Sequence, residues 1–422
     1  MAVRTSLFGA LAGAAVVMLG SSAPSLADPP AGAPAWGTSD PVLAVVGDTS
    51  CQTGTPPAVG GSFKASDYCA GGVGAGGTTV IPTLRWRTQS ATAAQIEAMQ
   101  PDLVALLGDE QYQVGRYEDF MASFDHTYGA FKYLHRPSPG NHEFYTAKSG
   151  QFGVKGYGYF DYYNGYQIDP TTGAPKTAAV DSGDHAASPG TVTQNIPLSD
   201  GQAGHFDAVS GGEGWYSYNL GKWHIISLNI ECNVEDGGCD PNGAWFAAET
   251  AWLAQDLTEN TAPCTVAYWH QPTFSAGNAA VGTSRFTTAE GTAADDWWKL
   301  LYQHGADLVL NGHDHLYARY KQVDPNGVAN KNGIREFIVG TGGEALDTVT
   351  QNNNSQNIEK ASAGFYGVMK LTLHPGSYDW DYESVLDANG NSASKANGDA
   401  TNFSDVGTAA CHRGSLNQNS QF

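Results

Sequence analysis

The sequence predicts an α/β fold, and two observations carry that reading. Short apolar runs of strand length alternate with segments whose apolar residues recur at helical spacing. Five of the runs also stop at a short polar cluster: Asp48, Asp109, Asn141-His142, His270 and His313/His315. Open α/β folds bind ligands at the carboxyl ends of their strands, so strands laid side by side would gather these clusters on one rim.

Taken in order, Pro41 to Val46 is an apolar run halted by Gly47-Asp48, as expected of a buried strand meeting a loop. Residues 53–79 are rich in Gly, Ser and Thr and read as a long loop, and residues 91–99 read as a helix. Residues 102–107 form a second buried strand ending at Gly108-Asp109. Phe120, Phe124 and Tyr128 have helical spacing across residues 117–131, and the chain then runs through Pro137-Ser138-Pro139 into Gly140-Asn141-His142-Glu143. Residues 150–214 are rich in Gly, Tyr and Asp without periodicity. A loop of that length is usually functional, so it reads as an insertion facing substrate. Residues 215–229 predict two antiparallel strands turning near Gly221, and residues 244–257 a helix with Trp245, Ala248, Trp252 and Leu253 on one face. A strand over 265–269 ends at His270, a helix covers 293–302, and a strand over 307–310 enters Gly312-His313-Asp314-His315. Strands follow over 334–339 and 366–373, then a polar stretch over 388–399, and no internal repeat is visible.

The 422 residues carry a hydrophobic fraction of 41%, enough for a full core. The net charge of −21 argues against binding a nucleic-acid backbone, which needs clustered Lys and Arg. An anionic substrate would be repelled by that overall field, so a local positive centre would have to capture it, and metal ions can be that centre. Residues 1–27 combine an early Arg4, a short apolar run and Ser25-Leu26-Ala27. This is the pattern of a signal peptide cleaved after Ala27, with a linker over 28–40 and one domain over 41–422. No other segment is apolar for long enough to span a bilayer. Secretion is the expectation. The six cysteines then suggest disulfides. Fifteen connectivities are possible; proximity favours Cys51–Cys69 and Cys232–Cys239, leaving Cys264–Cys411. A zinc–thiolate cluster is disfavoured because no close CxxC pair exists.

The strand-end clusters offer two carboxylates (Asp48, Asp109), an amide oxygen (Asn141) and three imidazoles (His270, His313, His315). Hard or borderline metals accept such donors, and the set suits two adjacent ions, which a carboxylate can bridge.

Gly47-Asp48, Gly108-Asp109-x-x-Tyr112, Gly140-Asn141-His142-Glu143, His270 and Gly312-His313-x-His315 follow the order of the calcineurin-like metallophosphoesterases. The Tyr of GDxxY resembles the purple acid phosphatase branch. The resemblance, running from about Pro41 to Tyr317, implies a four-layer α/β/β/α sandwich of two mixed β-sheets. It implies one metal held by Asp48, Asp109, Tyr112 and His315, and a second held by Asp109, Asn141, His270 and His313. It also implies Fe(III) beside a divalent ion (Zn, Mn or Fe), since a phenolate favours a trivalent partner. His142 would face a small phosphorylated substrate as the catalytic acid. Ser50 stands where the wider family often has a metal-binding His, and Tyr112 supplies the missing donor. Thr49-Ser50 replaces the usual end of GDxG, and Ala267 replaces the Val of VxxH. The first motif follows so soon after the leader that the N-terminal β-domain of the plant enzymes is not expected.

Hydrolysis of phosphate monoesters by a metal-bound hydroxide is the function this predicts, with diesters, nucleotides or phospholipid head groups as alternative substrates. A non-catalytic binding protein on the same fold is the contrasting reading. Glu143 and Asp314 are candidates for orienting nearby imidazoles. His126, His135, His224 and His304 read as surface or core residues, and His185 and His205 lie in the insertion. Tyr157, Tyr159, Tyr162 and Tyr163 would line a pocket mouth or pack the insertion.

Overall fold

The apolar runs of the sequence become the centres of two mixed sheets in a computed structural model, which describes residues 40–53, 68–69, 84–148, 156–164, 214–232, 238–277, 289–350, 355–392 and 402–412. The expected leader, the expected linker up to residue 39, most of the 53–79 loop and most of the 150–214 insertion, with His185 and His205, lie outside the described residues.

In the first sheet, β1 (Val42–Val46) lies between β4 (Leu103–Leu107), which is parallel to it, and β13 (Phe365–His374), which is antiparallel. β5 (His135–Ser138) closes one edge; β14 (Ser377–Asp387) and β15 (Ser404–Ala410) complete the other, giving the order β15-β14-β13-β1-β4-β5. In the second sheet the order is β12-β10-β11-β9-β8-β7-β6. Its parallel centre is β7 (Trp223–Ser227), β8 (Cys264–Tyr268), β9 (Leu308–Asn311) and β11 (Arg335–Val339). β6 (Tyr216–Leu220), β10 (Tyr317–Tyr320) and β12 (Ile358–Ser362) flank it antiparallel. A short pair, β2 (Gln52–Thr53) and β3 (Tyr68–Cys69), stands apart.

Alternation along the strands assigns the layers, because successive side chains leave a strand on opposite faces. Leu43, Val45, Leu103, Ala105 and Leu107 point inward and meet Val266, Tyr268, Leu308 and Leu310 of the other sheet. Ala44, Val46, Val104 and Leu106 point outward, with Ile96 of α1 (Leu84–Met99), Phe120 of α2 (Tyr117–Ala122) and the tyrosines of α4 (Tyr157–Asn164). Ile226, Ala267 and Val309 pack outward against Trp245, Leu253, Trp297 and Leu301 of α5 (Ala244–Glu259) and α6 (Ala289–Gln303). The chain is thus the four-layer α/β/β/α sandwich that the motif order implied. Tyr157, Tyr159, Tyr162 and Tyr163 are buried in this core rather than lining a pocket mouth, and Trp245 belongs to the core too.

Some elements differ from the sequence reading, for physical reasons. α1 begins at Leu84 and not at residue 91, because its first turns bury polar side chains and carry no apolar stripe. The 117–131 helix is instead α2 followed by two short 3-10 segments. α3 (Asn141–Lys148) went unread because its start doubles as the Asn141-His142 motif. β14 and β15 also went unread: apolar residues alternate with charged ones along β14, and β15 holds only small and polar residues on one face. Cys51–Cys69, Cys232–Cys239 and Cys264–Cys411 are all bridged, and the last ties the end of β15 to the start of β8. No helix among the described residues is long and apolar enough to cross a membrane.

Candidate metal centre

The C-terminal ends of β1, β4, β5, β8 and β9 meet at one place, which follows from their running parallel to their neighbours in two facing sheets. Three of the residues that leave these strands, Asp48, Asp109 and His313, have φ of 60°, 51° and 66°. A non-glycine residue in that region is uncommon and costs of order 1–3 kcal/mol, and such strain gathers at functional sites. Gly108, at φ 85°, has no alternative: a β-carbon there would lie 2.5 Å from Nδ1 of His270.

All eight residues nominated from the sequence fall within one cluster. On one side, Tyr112 Oη lies 2.8 Å from Asp48 Oδ1, 3.0 Å from Asp109 Oδ2 and 3.1 Å from His315 Nε2, while His315 Nε2 is 3.3 Å from Asp48 Oδ1. On the other, His270 Nε2 is 3.1 Å from Asp109 Oδ2, and His313 Nδ1 is 3.2 Å from His270 Nε2 and 3.0 Å from Asn141 Oδ1. One oxygen, Asp109 Oδ2, therefore faces both sides. His142 stands off, with Nε2 at 3.9 Å from that oxygen and its backbone N–H donating to Asp109 Oδ1.

The ring orientations are set by backbone carbonyls, which can only accept. Nδ1 of His270 therefore donates to the Leu107 carbonyl at 2.8 Å, Nδ1 of His315 to Ala345 at 2.7 Å, and Nδ1 of His142 to Gln113 at 2.9 Å. In each case Nε2 is left facing the cluster. The centre is then a ring of acceptors: carboxylate oxygens, an amide oxygen, a phenol oxygen and imidazole nitrogens. Acceptors in contact repel unless a positive charge lies among them, so this donor set fits cations. Asp109, His270 and His313 alone bring ligand atoms within 4.8 Å of one another.

Protonation in the protein by itself tells the same story. Burial disfavours a charged His270, yet the facing Asp109 carboxylate lifts it to about 10. Burial likewise opposes charge on His315, and the Asp48 carboxylate raises it to about 10. Burial would raise Asp109, but His270 and His142 hold it well below the usual carboxylate range. Burial and then Asp109 and Asp48 push the Tyr112 phenol well above its ordinary value, so it keeps its hydrogen and donates it to a carboxylate. Burial and its neighbour His270 push His313 well below the ordinary range, and burial lowers His142. Protons thus serve as stand-in cations among the acceptors.

Glu143 and Asp314 both accept hydrogen bonds from the loops around them. Glu143 is wholly buried and accepts the backbone N–H groups of Asp109, Gln111 and Gly140, tying two motif loops together. Asp314 turns away between the two histidines and accepts from Ser275, Ala276 and Gly277 in the loop after His270. The sequence reading missed the segment from Gly340 to Asp347. Ala345 receives the His315 ring, Asp347 receives the His315 backbone N–H at 2.9 Å, and Glu344 donates its N–H to the Asp48 carbonyl. Its signal was the Gly340-Thr341-Gly342-Gly343 run closing β11, an apolar strand ending at a loop like the other five.

A four-layer sandwich with an acceptor cluster at the strand ends defines the metallophosphoesterase class. The calcineurin-like phosphoesterase family matches residues 43–317, and the chain belongs to that family. It is 30% identical over 132 residues to purple acid phosphatase 15 of Arabidopsis thaliana, covering 31% of this chain and 22% of that protein. It is 26% identical over 178 residues to acid phosphatase A of Cryphonectria parasitica, covering 37% of this chain and 33% of that protein. The matched stretches thus span between a fifth and a third of these relatives' length. The solved purple acid phosphatase PPD1 from yellow lupin (Lupinus luteus) seeds aligns with a TM-score of 0.45 at 15% identity, covering 87% of this chain and 53% of that one.

Proposed function

We propose that the chain is an exported phosphatase that hydrolyses phosphate monoesters with two metal ions. The observation that carries this reading is the crowd of inward-facing acceptors around Asp109 Oδ2. Asp48, Asp109, Tyr112 and His315 would hold one ion; Asp109, Asn141, His270 and His313 the other, with Asp109 shared. When bound, the ions supply the concentrated positive charge that draws a phosphate ester into an acidic protein and lowers the pKa of a water. Fe(III) is the assignment for the Tyr112 side, where a cation would displace the phenolic hydrogen, and Zn, Mn or Fe(II) for the other.

The chain's own residues do the rest. Asn141 stays neutral, so it binds without adding charge beside His270 and His313. His142 is the catalytic acid: Nδ1 is fixed by the Gln113 carbonyl and Nε2 is directed toward the cluster, so the ring must first take up a second proton on Nε2, as an imidazolium, and then gives that proton to the departing ester oxygen. The ring is held between Tyr112 and Tyr145, with centroids 4.2 and 4.6 Å away. Three disulfides support an oxidising compartment and hence export.

The test is to purify the protein, count its metals, and assay a chromogenic phosphate monoester beside the matching diester. A protein with no metal and no turnover sinks the proposal; faster diester cleavage changes the substrate and keeps the site. His142→Ala should keep both ions and lower kcat about 10²–10⁴-fold, and unchanged turnover would remove His142 from its role.

A further inference from the structure

A helix that packs on a sheet normally buries apolar side chains, yet α1 buries Arg85, Thr88, Gln89 and Thr92. Arg85, Thr88 and Thr92 are three and then four residues apart and so share one face. All three meet the same short segment. Thr92 Oγ1 donates to the Gly342 carbonyl at 2.5 Å and Thr88 Oγ1 to the Gly343 carbonyl at 2.8 Å. Arg85 reaches the Gly343 carbonyl through Nη1 at 3.5 Å and pairs with Glu344 Oε1 through Nη2 at 2.8 Å. Gly343 is required here by close approach, since a β-carbon would sit 2.1 Å from the Thr49 carbonyl.

The gripped segment leads directly to the metal centre. Glu344 Oε1 also accepts the Ala345 N–H at 2.8 Å, and the Ala345 carbonyl accepts the His315 ring at 2.7 Å. Gly342 and Glu344 donate their N–H groups to the Gly47 and Asp48 carbonyls at 3.0 and 3.1 Å. Every link from the α1 guanidinium to the His315 imidazole is thus a hydrogen bond or an ion pair. Arg85 and Glu344 expose only 8% and 6% of their side chains. A buried pair of this kind is a poor way to gain stability, since apolar residues of the same size serve as well or better. Its use here is geometric.

We infer that Arg85 is a positioning residue: through Glu344 and Ala345 it fixes the orientation of the His315 ring, and so sets the metal affinity of the Tyr112 side without touching the metal. The affinity part rests on the proposed metal reading; the orientation part does not.

Removing Arg85 alone strands Glu344 in the interior, so the first variant is the double Arg85→Met/Glu344→Gln, with Thr88→Val as a milder second and Arg85→Lys as the conservative control. Circular dichroism and thermal melting establish that each is folded. In the metal-free protein, at a pH above the His315 value of about 10, where its ring is neutral and circular dichroism shows each variant to be folded, 15N spectra of labelled histidine, assigned with His315→Gln, report which ring nitrogen of His315 carries its hydrogen. The parent should show the Nδ1–H form, the double variant a mixture, and Arg85→Lys a return toward the parent. Calorimetric titration with Zn(II) should then show one of two ions weakened roughly 10–100-fold, the loss typical when an outer partner of a ligand is removed, with the other within about twofold. An unchanged His315 tautomer in a folded double variant overturns the inference, as does equal weakening of both ions. A tautomer shift in a protein whose parent takes up no zinc upholds the positioning role and overturns the metal reading instead.

Discussion

The two sides of the centre are built by different means. On the Asn141 side the supports belong to the motifs and strands that deliver the ligands. Asn141 begins α3 and Glu143, two residues on, accepts three backbone N–H groups of the loops that carry Asp109 and Gly140. His270 is fully buried and fixed by the Leu107 carbonyl, at the end of the strand that delivers Asp109. On the Tyr112 side part of the support comes from outside the motifs, from α1. α1 holds the 342–344 segment, Gln89 of the same helix accepts the Cys51 N–H at 2.9 Å, and Ser50 accepts the Tyr112 N–H at 2.8 Å. His315 is also more open than His270, with 20% of its side chain exposed against 0%. The Asn141 side is therefore expected to be the more rigid, and the Tyr112 side the one that distant substitutions can tune.

The largest effect should come from the atom common to both sides. Asp109→Asn removes the shared charge and places an amide among acceptors on two sides at once. Turnover should fall more than about 10³-fold, beyond the loss typical of one electrostatic stabiliser, and metal analysis should show both ions reduced. Retention of either ion at full occupancy would mean that Asp109 serves one side only. Tyr112→Phe separates the sides. It deletes Oη, with its contacts to Asp48, Asp109 and His315, and touches the Asn141 side only through the shared Asp109. One ion should be lost or weakened, and the colour that the proposed Fe(III) would give through the Tyr112 phenolate should be absent. A coloured Tyr112→Phe protein would place the chromophore elsewhere.

The supports themselves predict a smaller contrast, read as stability of the metal-free fold. Glu143→Gln turns one acceptor oxygen into a donor facing backbone N–H groups, an unsatisfied buried arrangement that costs about 1–3 kcal/mol. Thr88→Val removes one neutral hydroxyl hydrogen, shared between the Gly343 and Arg85 carbonyls, worth about 0.5–1.5 kcal/mol. Urea unfolding of the two variants should therefore rank Glu143→Gln as the more damaging. The reverse order would show that the α1 contacts, and not the Glu143 knot, dominate the stability of this end of the sandwich.

The same contrast explains what was legible in the sequence. Where ligand and support sit in one motif, as in Gly140-Asn141-His142-Glu143, the pattern spells out the local structure. The central strands were legible because burial on both faces leaves continuous apolar runs, as in residues 42–46 and 103–107. What was not legible depends on partners far along the chain. Nothing in the composition of Arg85, Thr88 and Thr92 announces that their face will meet carbonyls some 250 residues later. β15 is held by Asp405, which receives Tyr317 Oη and Arg319 from the other sheet, a bond no periodicity forecasts. Tertiary partners made those elements, so local propensity alone left them as loops.

The smallest effect belongs at the opposite end of the first sheet and serves as a baseline for both sides. Asp40 precedes β1, while the centre follows it, and His374 at the end of β13 bonds Asp40 and Asp379. Those two carboxylates raise the His374 pKa, with hydrogen bonding to Asp40 the largest contribution and little opposition from burial. The folded value lies above the unfolded one, near 6.5. The charged bonds therefore stabilise fully below that pH and are lost as pH rises through the folded value. Because the groups are largely exposed, screening keeps the contribution small. Urea midpoints of the parent and His374→Gln should differ most near pH 5 and converge toward pH 9, and the difference should shrink in high salt. Divergence with rising pH would mean that His374 contributes as a neutral ring, and that its contribution to pH-dependent stability has the opposite sign.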